Sequence, residues 1–352
     1  MVTYRAAKEE EIEACVELQC MVFRPGQADA PARYRSYVRE DPTYRLGQTR
    51  IAVIGDRIVG HLRIWDRKLA IRGQMITAGG IGSLLTHPDC RGQGIASGLL
   101  QDSERYFQEV GYDIGLLFSI IGTPYYASRG WTPIPISTFE IGIGGLNQTR
   151  QPIARGLRQE DDLAEVMRLH ARCSSNYTCP EVRDEAYWMT GPARYRSVFP
   201  KVGIEREGRI SGYVNWDDVN GSVWVIECCG DGEDVYADLA GVVVQAAGAS
   251  EASSILGSLP TDHLLVCKLE AATGNTALWS AHDEMMVKIS RWDQLRKKLV
   301  GAIPDLPEQL PKGQTDVDTF LNTLLGCGDA DSLWGKILGP CPPTFYWWTD
   351  IF

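Results

Sequence analysis

Residues 81 to 98, Ile-Gly-Ser-Leu-Leu-Thr-His-Pro-Asp-Cys-Arg-Gly-Gln-Gly-Ile-Ala-Ser-Gly, constrain this chain more than any other stretch. An apolar run from Ile81 to Thr86 is broken by Pro88. Arg91, Gly92, Gln93, Gly94, Ile95 and Ala96 follow, and a helical pattern begins at once. The order is a strand that stops, a glycine-rich turn and a helix N-terminus. Such a turn presents backbone N–H groups to an anion, and the helix dipole favours negative charge there. Gly92 and Gly94 let the backbone approach a ligand closely, and Arg91 stands beside them as a phosphate partner. The stretch is suited to holding a pyrophosphate.

Three ligand classes use this device. A nucleotide-binding P-loop needs Gly-Lys-Ser/Thr, and none follows Gly94. A dinucleotide fold needs Gly-x-Gly-x-x-Gly; Gly92 and Gly94 fit, but the third position is Ser97 and Gly98 comes one residue late. Asp113 lies about the right distance on for a ribose partner, yet it precedes the next apolar run instead of ending it.

The third class fits best. Arg91-x-x-Gly94-x-Ala96 resembles the acyl-CoA-binding motif of the GNAT superfamily of N-acetyltransferases, Arg/Gln-x-x-Gly-x-Gly/Ala. Upstream, Arg50-Ile-Ala-Val-Ile and Arg57-Ile-Val-Gly-His-Leu-Arg-Ile read as two strands around a Gly55-Asp56 hairpin turn. Downstream, Ile95, Leu99, Leu100, Tyr106, Phe107 and Val110 mark one face of a helix that Gly111 ends. Ile114 to Ser119 reads as the next buried strand. Tyr126-Ala-Ser-Arg-Gly130-Trp131 then resembles the Tyr-x-x-x-Gly-Phe motif that closes the GNAT fold, with Trp131 as the aromatic. The resemblance covers residues 2 to 145. It implies that Leu84, Leu85 and Thr86 pair with the pantetheine arm of acetyl-CoA, and that the turn from Arg91 and Gly92 through Gln93, Gly94, Ile95 and Ala96 to Ser97 binds its pyrophosphate. It also implies that Tyr126 protonates the departing thiolate. A phenol of reference pKa near ~10 is protonated at neutral pH and available for that role. Cys90, beside the turn, has no His or Asp partner readable in the sequence and is not expected to act as a nucleophile.

The chain of 352 residues is long enough for two or three domains and, at 44% hydrophobic, for cores of normal size. No apolar run reaches the ~18 residues of a membrane span, and Met-Val-Thr-Tyr-Arg opens without an apolar signal region. The expectation is a cytoplasmic protein with no membrane partner. Ten cysteines include no Cys-x-x-Cys pair and five histidines are scattered, so no metal site is expected. A net charge of −10 disfavours nucleic acid as a partner. It suits a cationic amine drawn by the overall field, or serves solubility alone.

After residue 148 the pattern starts again. Pro152-Ile-Ala-Arg-Gly-Leu-Arg-Gln-Glu-Asp-Asp echoes Val2-Thr-Tyr-Arg-Ala-Ala-Lys-Glu-Glu-Glu, and Lys201 to Val214 reads as strand, turn, strand. Val223 to Cys228 matches the first-half strand at 81–86, but Cys229-Gly-Asp-Gly-Glu-Asp follows: glycines with three acids and no arginine, which repels a pyrophosphate. Leu264-Leu-Val-Cys-Lys-Leu reads as the next strand and Glu284-Met-Met-Val-Lys-Ile as the last, with no Tyr-x-x-x-Gly between them. The segment is read as a GNAT repeat that has lost its CoA site, or as an unrelated α+β domain. A proline-rich break at 303–311 precedes two helices, Asp316 to Leu325 and Ala330 to Leu338, and an aromatic end through Trp347 and Trp348 to Phe352. This layout is similar to the enhanced-intracellular-survival (Eis-like) acetyltransferases.

The expected fold class is α/β (α+β). It comprises tandem GNAT folds, each a mixed, mostly antiparallel twisted sheet flanked by helices, and a short helical and aromatic tail. The expected division is 1–147 catalytic, 148–300 degenerate, and 301–352 a C-terminal remnant reaching back to the active site. The resemblance implies an acetyl-CoA-dependent N-acetyltransferase acting by direct attack of a primary amine. It makes the α-carboxylate of Phe352 a candidate general base, against the reading that the tail only packs as core. Loops at Phe23-Arg24-Pro25-Gly26 and Trp65-Asp66 lie where GNAT acceptors bind. The Eis-like resemblance favours a polycationic acceptor such as an aminoglycoside and a homo-oligomer. The alternatives are a transferase using a longer acyl-CoA, and a non-catalytic acetyl-CoA sensor.

Overall fold

The structure, a computed structural model, describes residues 1–144, 153–189 and 199–347. Its frame is one twelve-stranded sheet. The first half supplies β1 (Val2–Ala6), β2 (Thr49–Ile54), β3 (Arg57–Ile71), β4 (Gln74–Thr86), β5 (Ile114–Phe118) and β6 (Thr132–Gly142). The second supplies β7 (Ala154–Gly156), β8 (Val202–Arg206), β9 (Arg209–Val219), β10 (Ser222–Gly230), β11 (Ser254–Gly257) and β12 (Leu278–Ile289). Helices α1 (Ile12–Phe23), α2 (Ala30–Arg39) and α3 (Ile95–Val110) belong to the first half.

Local chemistry explains the hairpins. Gly55 (φ 60°) makes the two-residue turn between β2 and β3, and Arg72 (φ 50°) with Gly73 (φ 72°) makes the one between β3 and β4. The strand expected at 81–86 therefore begins earlier, at Gln74. Helix α3 buries Ile95, Leu99, Leu100, Tyr106 and Phe107, and ends at left-handed Gly111, whose N–H donates to Phe107 O. Phe107 packs closely on the sheet because Gly79 leaves room for it; a Cβ there would sit 2.4 Å from the ring.

The strand order is β1-β2-β3-β4-β5-β12-β6-β11-β10-β9-β8-β7. In both halves three antiparallel pairs lead into one parallel pair, β4 with β5 and β10 with β11. The last strands are exchanged. β12 pairs with β5 from Met285↔Phe118 to Ile289↔Ile114, and β6 pairs with β11 from Gly142↔Ser254 to Phe139↔Gly257. The cores cross with them: Met286 of β12 packs with Leu99, Leu117, Tyr126 and Trp131, while Phe139 and Ile141 of β6 pack with Val223, Val225 and Ile255. The two halves expected from sequence share one sheet, and neither completes it alone.

One expected strand is a helix. Residues Leu264–Thr273 are helical, with His263 Nδ1 accepting from Leu265 N at 3.3 Å and left-handed Gly274 ending the helix. The parallel partner of β10 is the four-residue β11. A short apolar run cannot be assigned to strand or helix by periodicity alone.

The tail covers the sheet face opposite α3. Phe320, Leu321, Leu324, Leu338 and Tyr346 pack on Leu69, Ile76, Ile114, Leu116 and Val287. Helices Gln314–Leu324 and Leu333–Leu338 both end on Arg72, whose guanidinium donates to the carbonyls of Leu324 and Leu338 at 3.2 and 2.5 Å. A cation there satisfies carbonyls that have no intrahelical partner. Glu181 accepts from Tyr346 Oη at 2.9 Å and pairs with Arg67 at 3.0 Å, so the tail is also tied to β3. Among the described residues, no helix is long and apolar enough to cross a membrane and no cluster of His, Cys, Asp and Glu could hold a metal ion.

If the exchanged strand joins the halves energetically, Met286→Ala should cost about 2–5 kcal/mol. Denaturant unfolding followed by tryptophan fluorescence and far-UV dichroism should then shift as one transition. Two transitions, only one of them shifted, would contradict a shared sheet.

Candidate active site

The site begins where two strands part. β5 is paired with β4 only from Ala78↔Ile114 to Ile81↔Leu117, whereas β4 runs on to Thr86. Beyond Ile81 the β4 edge that faced β5 has no strand beside it among the described residues. On its other edge β4 bulges: Gly82 opposes Arg63 and Leu85 opposes His61, so Ser83 and Leu84 together face Leu62. Ser83 takes φ 50°, and its carbonyl lies 3.1 Å from His61 Nδ1. Burial pushes the pKa of His61 down to about 4, and the neighbouring Arg63 charge adds to this. The imidazole is therefore neutral at pH 7 and donates Nδ1–H to that carbonyl. Bulges re-aim strands in this way beside functional sites.

The turn follows. A 3-10 turn, Pro88–Cys90, leads into Gly92 (φ 75°) and Gly94 (φ 76°), both left-handed and both open where a Cβ would stand. Helix α3 starts at Ile95, and its first closing bond is Gly98 N–H to Gly94 O. The N–H groups of Ile95, Ala96 and Ser97 precede that bond and have no acceptor within the helix. The first turn carries no acid.

The sequence reading missed one cation here. Arg129 donates to Ser97 Oγ at 2.7 Å and to the Tyr125 carbonyl at 2.5 Å, and its guanidinium stacks 3.9 Å over the Tyr125 ring. It is thereby fixed at the N-terminus of α3. The only sequence signal was an arginine at a spacer position of the Tyr126 to Trp131 motif.

These parts line an open cleft of about 970 Å³. Of the ten predicted cofactor residues, Leu84, Leu85, Thr86, Arg91, Gly92, Gly94, Ile95, Ala96 and Ser97 line it; Gln93 does not. Cys90 also lies in the wall. Tyr126 lines the cleft from the short helix Pro124–Ala127, is 8% exposed, and stands edge-on to Tyr125 at 5.1 Å. Burial pushes its pKa up to about 12, with Tyr125 adding and Arg129 opposing. Phe23, Arg24, Arg33, Tyr34 and Tyr37, from α1, α2 and their connection, also line the cleft. The described wall holds four arginines, Arg24, Arg33, Arg91 and Arg129, and no carboxylate. Phe352 lies outside the described residues.

Of the two loops expected beside the acceptor, Phe23 and Arg24 line the cleft, whereas Trp65-Asp66 is neither a loop nor in the cleft. Trp65 is buried within β3, and Asp66 lines a separate cavity of about 640 Å³ with Asp41, Arg45 and Tyr112.

The second half repeats the geometry with different chemistry. β10 is paired with β11 only to Val225↔Gly257 and is bulged against β9 between Val225 and Glu227. Beyond that point Glu227, fully buried, accepts from Arg183 at 2.6 Å and from Tyr213 Oη at 2.6 Å. The next helix, Glu233–Ala249, starts with Glu233 and Asp234. Acids stand where the first half presents N–H groups and arginine.

Residues 3–134 match the family profile of the acetyltransferase (GNAT) domain. No curated protein sequence matches the chain. Among solved structures, the chain is similar to a probable N-acyltransferase from Enterococcus faecalis (14% identity, 85% of this chain and 75% of that one, TM-score 0.67). It is also similar to Eis1 from Mycobacterium abscessus (14% identity, 82% and 74%, TM-score 0.55). A third is N-myristoyltransferase from Saccharomyces cerevisiae with bound myristoyl-CoA (11% identity, 82% and 82%, TM-score 0.55). At these identities the likeness is one of fold, and it extends across both halves. Residues 3–134 thus resemble the acetyltransferase (GNAT) domain in sequence, and the chain as a whole shares its fold with these solved structures.

Proposed function

We propose that the protein is an N-acetyltransferase that moves an acetyl group from acetyl-CoA to a primary amine within the cleft between β4 and β5. The observation that carries this reading is the juxtaposition in one cleft of an unpaired strand edge, a glycine turn at a helix N-terminus, and Tyr126. The residues fit the cosubstrate. The free edge of residues 82–86 offers a strand-like partner for a pantetheine arm. The N–H groups of Gly94 to Ser97, with Arg129 and Arg91, suit a pyrophosphate in number and sign.

The chain's own groups then have definite tasks. The bulged β4 backbone polarises the thioester carbonyl as charge develops on its oxygen. The amine nitrogen forms a bond to the acetyl carbon and the carbon–sulfur bond breaks. Tyr126 donates its O–H to the departing sulfur. A free thiol has a pKa near ~8.5, below that of Tyr126, so the phenol donates a hydrogen bond first. The sulfur takes the phenol proton as the carbon–sulfur bond breaks; the new ammonium centre gives its proton to a base, and a proton passed back through solvent restores the Tyr126 phenol.

Nothing in the described cleft wall is a carboxylate or a histidine able to take that proton. The Phe352 α-carboxylate is the proposed base. Its support is the tail's course: Tyr346 packs on Phe118 at 5.0 Å, and Phe118 lines the cleft. The remaining residues span up to ~17 Å when extended. A longer acyl donor is a second reading, favoured by Ile120 and Ile121, which stand 88% and 66% exposed on the cleft lip; octanoyl-CoA turnover beside acetyl-CoA turnover reads it directly.

Tyr126→Phe should lower kcat for thiol release about 100-fold and leave the acetyl-CoA Kd within twofold. Binding without release in the wild type, on any amine, would instead indicate a sensor. Because the folded-state pKa of Tyr126 is raised to about 12, the acid form persists below it. The rate should rise with pH as the amine deprotonates and show no falling limb below pH ~10; a fall near pH ~8.5, where a free thiol titrates, would contradict this role for Tyr126. Arg129→Met should raise the acetyl-CoA Kd roughly tenfold by calorimetry, about 1.4 kcal/mol. Residues appended after Phe352 should abolish turnover without changing that Kd, and unaltered turnover would remove the chain end from the mechanism.

A further inference from the structure

Past its last parallel pair β4 borders a cleft, whereas β10 carries a buried thiol that meets a second one. Gly212 and Gly230 are cross-strand partners facing the helix Glu233–Ala249, where a Cβ on Gly212 would sit 2.4 Å from Val235. Their neighbours Tyr213 and Cys229, also cross-strand partners, therefore face the other side of the sheet. The helix Gln159–Ser174 packs there. Its last turn is docked around Cys229: Arg172 donates to Gly230 O at 3.2 Å, and Cys173 Sγ lies 4.0 Å from Cys228 O. Cys173 and Cys229 are thereby brought into hydrogen-bond contact, and both thiols are free.

Two further donors converge on Cys173. Tyr236, from the first turn of the helix Glu233–Ala249, places Oη 3.7 Å from its sulfur. His263 Nδ1 accepts from Leu265 N–H, so the ring proton is on Nε2. That N–H meets no oxygen or nitrogen acceptor and faces the Cys173 sulfur. The imidazole is buried and stands edge-on to Tyr236 at 5.3 Å. These contacts drive the two thiols apart in acidity. Hydrogen bonds from Cys229, His263 and Tyr236 hold Cys173 well below the usual thiol range. Burial pushes Cys229 well above it, as burial also does for Cys15, Cys179 and Cys228. An ionised sulfur against a protonated thiol supplies the two roles that disulfide formation needs, a nucleophile and a resolving partner.

We infer that Cys173 and Cys229 form an oxidative modification site, with a peroxide as the oxidant and a disulfide as the product. The Cys173 sulfur attacks one peroxide oxygen and the O–O bond breaks. The leaving oxygen takes up the proton that Cys173 released, which gives water and a sulfenic acid on Cys173. The Cys229 sulfur then attacks the Cys173 sulfur, the S–O bond breaks, and the oxygen leaves as water with the Cys229 proton. Two thiols lose two electrons, and one peroxide is reduced to two waters. A dithiol reductant reverses the change. A peroxide suits the place because it is little larger than water, and Cys173, 7% exposed, lies in a terminal helical turn between exposed Arg172 and Ser175. The site lies wholly in the second half and does not rest on the transferase reading.

The test uses the full chain, reduced and then freed of reductant. Hydrogen peroxide is added in small molar excess and stopped with catalase, and remaining thiols are blocked with N-ethylmaleimide. Non-reducing proteolysis and fragment-ion mass spectrometry then place each linked and each alkylated cysteine. The expected product is a Cys173–Cys229 link, two hydrogens lighter than the separate thiols and lost on adding dithiothreitol. It should form about tenfold faster than exposed Cys267 is oxidised, and about tenfold faster in the folded chain than in urea. In Cys229→Ser the sulfenic acid should persist on Cys173 and be captured by dimedone. Oxidation of Cys267 first, a link no faster in the folded chain than in urea, or a link from Cys173 to Cys228 each overturns the proposal. So does dimedone capture in Cys229→Ser at a cysteine other than Cys173. The mapping on the wild type stands by itself should that variant fail to fold.

Discussion

The site depends on where a single ladder of parallel hydrogen bonds stops. β4 and β5 are paired over four residues each and then separate, at Ile81 and Leu117. Had the pairing continued, the β4 edge at residues 82–86 would be filled by protein and no extended ligand could add to it. Two features hold the strands apart. The bulge at Ser83 and Leu84 turns β4 away, with neutral His61 holding the Ser83 carbonyl. β5 meanwhile takes its second partner from the far half of the chain, because β12 occupies its other edge. The opening is therefore supported by residues 167 to 175 positions away in sequence, from Met285↔Phe118 to Ile289↔Ile114.

The same opening recurs in the second half, and its different content shows which part of the geometry carries chemistry. β10 and β11 also part after four pairs, and β10 also bulges. There Glu227 occupies the region, with Arg183 and Tyr213 as partners, and the following helix starts with acids. A buried, hydrogen-bonded carboxylate is strongly disfavoured from losing its partner, so that opening is committed to structure. What the two halves share is backbone geometry. What separates them is the sign and hydrogen-bonding capacity of a few side chains, which fits the rule that function lives in sites grafted on folds.

Much of this was legible in the sequence, for physical reasons that can be named. Gly92, Gly94 and Gly111 stand at positions that need positive φ, and α3 shows an unbroken apolar stripe because one of its faces is buried. The turn and the helix could be placed from these alone, and Tyr126 from the resemblance of residues 126–131 to the Tyr-x-x-x-Gly-Phe motif. The exchange of β6 and β12 could not: periodicity shows that Glu284 to Ile289 is a strand but says nothing about its neighbours. Leu264 to Leu269 misled because a short apolar run suits either a strand or a buried helix. Trp65 and Asp66 looked like a loop beside the acceptor because the length of β3 was underestimated. Arg129 was hidden because its role arises from Ser97, thirty-two residues earlier, and from the ring of Tyr125. Net charge is a property of the whole chain, whereas a cleft is lined by a few residues, and the described lining of this one carries four arginines.

We propose that among the described residues one opening of this sheet, and only one, is equipped for an acyl-CoA. The most direct measurement is the stoichiometry of acetyl-CoA binding to the full chain by isothermal titration calorimetry. The account predicts one molecule bound per chain. Two per chain would show that the acidic turn and the buried Glu227 do not close the second opening, and none would show that the splayed strand and glycine turn of the first half are not a CoA site.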